Sequence, residues 1–167
     1  MDLIIKGHRH QEMEKDIKED QVSGLHASSY IFDVTNEHQV KENIQRIEEE
    51  VGPIDILINN AGMIQRVPLI DMKLEAYQKV LDVNLTGAFI VSRQVARSMT
   101  GRQQGKIINI CSMMSEMGRD TVGAYAAAKG GLKMLTRNMA TEWARFNIQV
   151  NGIGPRYFAT EQTAPLR

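Results

Sequence analysis

Residues 54–62 read I-D-I-L-I-N-N-A-G. Apart from Asp55 the run is apolar up to its two asparagines, and it has the length of a strand. An uninterrupted apolar run of that length, with no polar residue at every second position, is the pattern of a parallel strand covered on both faces. The asparagines then mark the strand's C-terminal end, and Gly62 permits a close backbone approach just beyond it. Taken alone, "NNAG" is equally an ordinary polar turn.

Outward from this run, short β-branched stretches alternate with longer ones of helical period, the pattern of βαβ units on a parallel sheet. "LIIK" (3–6) reads as a strand, His10 to Glu19 as a charged helix or helix fragment, and "SSYIFDV" (28–34) as the next strand. Asn36 and Gln39 resemble a capping box. Val40, Ile44, Ile47 and Val51 follow at spacings of four, three and four, one face of a helix that Gly52 and Pro53 stop. A helical region is expected over about 74–99, a buried strand at "GKIINIC" (105–111), a long helix over 125–146, and a last strand at "IQVNGIGP" (148–155). The fold class expected is α/β, with residues 1–167 forming one domain.

Composition narrows the function. Twenty basic residues balance twenty acidic ones and no basic block occurs, which argues against nucleic acid or an anionic membrane as partner and for a small-molecule ligand. Cys111 is the only cysteine, so an internal disulfide and a multi-cysteine metal site are excluded and a reducing compartment is favoured. Four scattered histidines add no metal motif. The opening "MDLIIKGHRH" is too weakly apolar for a secretory or membrane segment, so a cytoplasmic protein is expected.

"YAAAK" at 125–129 is the chemically pointed stretch. Positions i and i+4 share a helix face at about 5–6 Å between Cβ atoms, so the Lys129 ammonium can approach the Tyr125 phenol. A nearby positive charge favours phenolate and would suit Tyr125 to acid/base work near neutral pH. An ordinary helix with a packed tyrosine and a solvated lysine fits the same five residues. Ser112, thirteen residues upstream at the end of "GKIINIC", falls where open α/β sheets bind ligands, although a serine there also ends strands. Asn84, on the helical face of Tyr77, Leu81 and Ala88, points inward and needs buried partners.

"NNAG" at 59–62, Asn84, Ser112 and the Tyr125/Lys129 pair resemble, in order and spacing, the signature of the short-chain dehydrogenase/reductase family, over nearly the whole chain. The resemblance implies a Rossmann-like doubly wound parallel sheet and an NAD(P)-dependent oxidoreductase. It implies Tyr125 as catalytic acid/base and Ser112 as the group that binds the reacting carbonyl. Lys129 would lower the tyrosine pKa and hold the nicotinamide ribose, and Asn84 would anchor a water in the proton relay. Asp33 and Val34 would contact the adenine, Asn60, Ala61 and Gly62 would line the cofactor, and Pro155 and Thr160 would meet the nicotinamide end. The helices at 85–99 and 125–146 resemble the pair through which family members form homotetramers.

Residues 108–155 are similar to the gluconate 5-dehydrogenase branch of that family, which implies interconversion of gluconate and 5-ketogluconate. Arg66 and Arg119, on loops expected at the sheet's C-terminal edge, are then candidates to hold the substrate carboxylate, since arginine suits bidentate carboxylate binding. A solvated surface arginine is the plain alternative for each. The family pattern is incomplete: no glycine-rich phosphate turn with its strand and helix occurs, the family's Pro-Gly reads Pro155-Arg156, and the C-terminal part is missing. The chain therefore reads as an internal fragment, expected on its own to aggregate and to have little or no activity. The stretch after the first strand carries Lys6, His8 and Arg9 with no acid, which leans towards NADP over NAD. A reductase for another carbonyl substrate and a catalytically inactive remnant are the competing readings.

Overall fold

The computed structural model describes residues 2–6 and 26–156. The expected helix at 10–19, and His8, Arg9 and Thr160, lie outside these residues. The described chain divides into two compact units, one within residues 1–53 and one from Ile54 onward.

In the first unit, β1 (Asp2–Lys6) and β2 (His26–Tyr30) pair in parallel with Ile4 opposite Ser28. Strand β2 is shorter than "SSYIFDV" suggests. The backbone leaves the ladder at Ile31 because Asp33 folds into a local turn, its Oδ1 accepting from the Thr35 N–H and hydroxyl, both at 2.8 Å. Asn36 then caps α1 (Glu37–Glu50), its Oδ1 accepting from the Gln39 N–H at 3.1 Å. Gln39 reaches back three residues beyond the cap, accepting from the Asp33 N–H at 2.9 Å. Val40, Ile44 and Ile47 are buried, as their spacing requires. The chain turns away from the helix at Gly52, two residues past its end, whose φ of +124° few other residues would adopt.

The second unit is a parallel sheet in the order β3 (Ile56–Asn59), β4 (Gly105–Ile110), β5 (Ile148–Ile153). Both pairings, β2 with β1 and β3-β4-β5, occur in the doubly wound order 3-2-1-4-5-6, as 3-2 and 4-5-6, and the fold is Rossmann-like. A helical stretch links β3 to β4: α2 (Leu74–Leu81), one π-turn (Asp82–Thr86) and α3 (Gly87–Arg102). The long helix α4 (Gly123–Trp143) links β4 to β5.

Helices α3 and α4 cover one face of this sheet. Ile107, Asn109, Ile148 and Val150, at alternate positions, are buried there. Ile56 and Ile58, on the other face of β3, are 53% and 56% exposed. The expectation of burial on both faces therefore holds for one face only, because among the described residues of this unit no element packs on the other.

A row of hydrogen bonds crosses the covered face. The Asn59 amide donates to Ser92 Oγ on α3 at 2.7 Å and to Asn109 Oδ1 on β4 at 2.8 Å. The Asn109 amide donates to Thr136 Oγ1 on α4 at 2.9 Å, and that hydroxyl donates to the Leu132 carbonyl at 2.7 Å. Ser92 and Asn109 are fully buried. Buried polar groups with partners contribute modestly, but a buried group stripped of its partner costs about 1–3 kcal/mol. Asn109→Ala takes one hydrogen bond from Asn59 and one from Thr136 and is expected to lower stability by about 1–3 kcal/mol. Urea unfolding should show this as a lower midpoint at unchanged slope, and combination with Thr136→Val should cost less than the sum of the two changes.

Candidate active site

The C-terminal ends of β3 and β4 and the first turns of α4 converge in the second unit. Lys129 is 3% exposed and its Nζ donates to the Ile110 carbonyl at 2.5 Å. The ammonium lies 5.7 Å from the centroid of the Tyr125 ring, so the i, i+4 pair meets on one face of α4. Burial holds the Lys129 pKa below the ordinary lysine value, with the neighbouring Cys111 acting weakly the other way. Cys111 is itself buried, and burial pushes its thiol up, against the opposing influence of the neighbouring Thr136 hydroxyl, so it stays a protonated, inert thiol at neutral pH.

Asn84 sits in the π-turn. One π-turn shifts the helical register, and such turns recur at functional sites. Here the Asn84 amide donates to the carbonyls of Met63 and Val80, both at 2.8 Å, while its Oδ1 is buried with no donor from the described protein. A Cβ added at Gly62 would lie 2.9 Å from that oxygen and 3.8 Å from Lys129 Nζ. The backbone of "NNAG", the Asn84 acceptor and the Lys129 donor thus share one spot that a larger residue at position 62 would fill. A buried acceptor and a buried donor beside open backbone suit a ligand carrying hydroxyl groups, so the residues present fit the ribose end of a nicotinamide coenzyme.

Ser112 follows β4 and is half-buried. Its Oγ accepts from the Met114 N–H at 3.1 Å, which leaves the hydroxyl proton to donate elsewhere. The Cys111 N–H donates to the Ile153 carbonyl at 2.8 Å, which brings the end of β5, and the Gly154-Pro155 loop after it, beside the serine's strand end. Arg156 is exposed. Arg66 is half-buried and Arg119 exposed. Their loops are joined where the Val67 N–H donates to the Thr121 carbonyl at 3.0 Å. Thr121 is held at φ +65°, an uncommon conformation for a β-branched residue.

Of the residues singled out from sequence, the structure brings together Gly62, Asn84, Tyr125 and Lys129. Asp33 and Val34 belong to the first unit, where Asp33 is exposed and Val34 buried. Asn59's side chain faces the covered side of the sheet, in the polar row, while Asn60 is exposed in the loop. Sequence reasoning missed Asn109, Thr136 and Ser115. Asn109 was signalled by an asparagine inside "IINI" and Ser115 by the serine spacing of "SMMS"; Thr136 had no local signal. No group of histidine, cysteine and acidic residues among the described residues could hold a metal, and no described helix is long and apolar enough to cross a membrane.

The depressed lysine pKa has a measurable consequence. Between the folded pKa and the unfolded value near 10.5 the unfolded chain binds a proton that the folded chain lacks, so stability rises with pH there; below the folded pKa the burial cost is fully present. Wild type should therefore gain stability relative to Lys129→Met as pH rises towards 10.5. Parallel urea titrations of the two proteins between pH 7 and 10.5 would measure this, made in a Cys111→Ser background so that the opposite slope contributed by Cys111, itself influenced by Lys129, is absent from both.

The chain matches the short chain dehydrogenase family over residues 2–167. It is 57% identical over 166 residues to a 2-dehydro-3-deoxy-D-gluconate 5-dehydrogenase of Formosa agariphila, a match covering 99% of this chain and 63% of the relative. It is 50% identical over 143 residues to the 5-keto-D-gluconate 5-reductase of Escherichia coli K12, covering 86% of this chain and 56% of the relative. A gluconate 5-dehydrogenase from Burkholderia cenocepacia, solved in complex with NADP and tartrate, superposes with a TM-score of 0.93 at 42% identity, over 98% of this chain and 64% of that one. The chain thus spans less than two thirds of the length of these relatives. With the family match running from residue 2 to residue 167, the chain belongs to the short-chain dehydrogenase family.

Proposed function

We propose that residues 1–167 form part of one Rossmann-like domain of a cytoplasmic NAD(P)-dependent oxidoreductase that interconverts a secondary alcohol and a ketone at C5 of a six-carbon sugar acid. The observation that carries this reading is the desolvated Lys129 ammonium beside the Tyr125 ring and the unpartnered Asn84 oxygen. The relatives named above act on gluconate-type acids at C5, and gluconate with 5-ketogluconate is the pair we assign.

The coenzyme supplies the hydride acceptor for oxidation and the donor for reduction. The remaining work falls to side chains of this chain. Tyr125 takes the substrate hydroxyl proton during oxidation and returns it during reduction. The Lys129 ammonium favours the negative charge that develops on the phenol oxygen, and it also holds the nicotinamide ribose. Ser112 donates its hydroxyl to the reacting oxygen, its proton not being used in the bond it accepts from Met114. Asn84 Oδ1 holds a water that carries the proton onward from Lys129. Asn60, Ala61, Gly62, Pro155 and Thr160 line the coenzyme, and Asp33 and Val34 take its adenine. Lys6, His8 and Arg9 favour NADP.

Arg66 or Arg119 pairs with the substrate carboxylate, a role supported by the hydrogen bond that joins their loops. The exposed Phe89 on α3 and Met134 on α4 support a homotetramer formed through those helices, which sedimentation of the intact protein would check.

Steady-state kinetics on the intact protein, with gluconate, 5-ketogluconate, 2-dehydro-3-deoxygluconate and unrelated ketones, tests the reading. Tyr125→Phe should lower kcat by about 10²–10⁴ with little change in KM. At least one of Arg66→Ala and Arg119→Ala should raise KM for the sugar acid about tenfold or more, the loss of a charged hydrogen bond worth about 1.5–3 kcal/mol. An unchanged KM in both removes the carboxylate role, turnover confined to ketones without a carboxylate removes the substrate class, and a marked preference for NAD reverses the coenzyme assignment.

A further inference from the structure

Ser115 closes a one-turn 3-10 helix, Met113–Ser115, just after β4, and its hydroxyl lies between two backbones. It accepts from the Ser112 N–H at 3.2 Å and donates to the Lys129 carbonyl at 2.9 Å. The turn does not need that hydroxyl to form, because the Ser115 N–H already donates to the Ser112 carbonyl at 3.0 Å. What the hydroxyl adds is a link from the serine's loop to the lysine's helix. Nearby, Glu116 pairs with Lys133, one turn beyond Lys129, and that pairing holds the Glu116 carboxyl below its usual range. The pair is solvent-exposed and screened by salt, so it is the weaker tie.

The geometry points to Ser115 as a positioning residue that sets where the Ser112 hydroxyl stands relative to the Tyr125–Lys129 face of α4. The inference rests on the roles proposed above for Ser112 and Tyr125. Two donors must converge on one substrate oxygen, one from the end of a strand and one from a helix, and the loop of residues 113–122 lies between them. Backbone bonds hold each element internally. The Ser115 side chain bonds the backbone of Ser112 on one side and of Lys129 on the other. A misplacement of about 1 Å at a reacting centre can cost about 10²-fold in rate, so losing this link falls on turnover while substrate and coenzyme affinity stay nearly unchanged.

The test compares Ser115→Ala and Ser115→Thr with wild type in the intact protein, measuring kcat and KM for the sugar acid, coenzyme affinity by fluorescence titration, and hydrogen exchange of the Ser112 amide. Ser115→Ala should lower kcat about tenfold with KM and coenzyme affinity within about twofold, and should speed Ser112 exchange about tenfold. Ser115→Thr, which keeps the hydroxyl, should return both to within about threefold of wild type. A kcat within twofold of wild type for the alanine variant overturns the proposal, as does an equal loss in the threonine variant. If the wild-type protein turns over no sugar acid, the functional reading fails while the exchange measurement still decides Ser115: unchanged Ser112 exchange in the alanine variant overturns the link itself.

Discussion

A buried ammonium is the constraint around which the site is built. Taking a lysine's charge out of water is unfavourable, and a lysine with any freedom carries its head group back to solvent along its flexible stem. Lys129 is kept in by what surrounds it. Its Nζ bonds the last carbonyl of β4, and its own carbonyl is bonded by Ser115. On the same helix, a Cβ at Gly131 would come within 2.9 Å of Leu85 in the π-turn, so the absence of a side chain there lets α4 approach that turn closely. Close approach brings Asn84 to the lysine. The cost of the buried charge and the tightness of its surroundings are therefore one design, and both would be lost if the helix moved outward.

Much of this was legible in the sequence, in a particular order. The four-residue spacing of Tyr125 and Lys129 is local arithmetic on one helix, as is the buried stripe of Val40, Ile44 and Ile47, and both are met in the structure. That Asn84 turns inward was also readable from its helical face. That it does so from a π-turn was not, because a register shift inside a helix answers to tertiary packing and not to periodicity. The polar row was hidden for a different reason. Asn59, Ser92, Asn109 and Thr136 are each unremarkable in their own segments, and they meet only through strand pairing and helix packing across tens of residues. Ser115 carried a visible serine spacing, but its second partner is a backbone atom fourteen residues away.

The uneven sheet gives the polar row its meaning. Over the middle of β3 and β4 both faces carry apolar residues: Ile56, Leu57 and Ile58 on one strand, Ile107 and Ile108 on the other. Hydrophobic alternation normally fixes the register of a strand, because a slip of one residue turns its apolar face to solvent. Here a slip would exchange isoleucine for leucine or isoleucine and lose little. What a slip would lose is the alignment of Asn59 with Asn109, now exact Cα partners whose amides bond each other and both flanking helices. Moving Ile58 into that place would leave the buried Asn109 oxygen without its donor and Ser92 without its partner, at about 1–3 kcal/mol for each group.

The asparagine pair thus sets the register that hydrophobicity leaves open. Register, in turn, sets height. With Asn59 level with Asn109, the "NNAG" backbone leaves β3 at the same sheet edge at which Ser112 leaves β4, and the Ile110 carbonyl is presented to Lys129 between them. One residue of slip would move the β3 loop by about 3.3 Å along the strand, enough to part Gly62 from the Asn84 oxygen and the lysine. A polar interaction in the middle of the sheet therefore decides whether the groups at its edge can act on one atom.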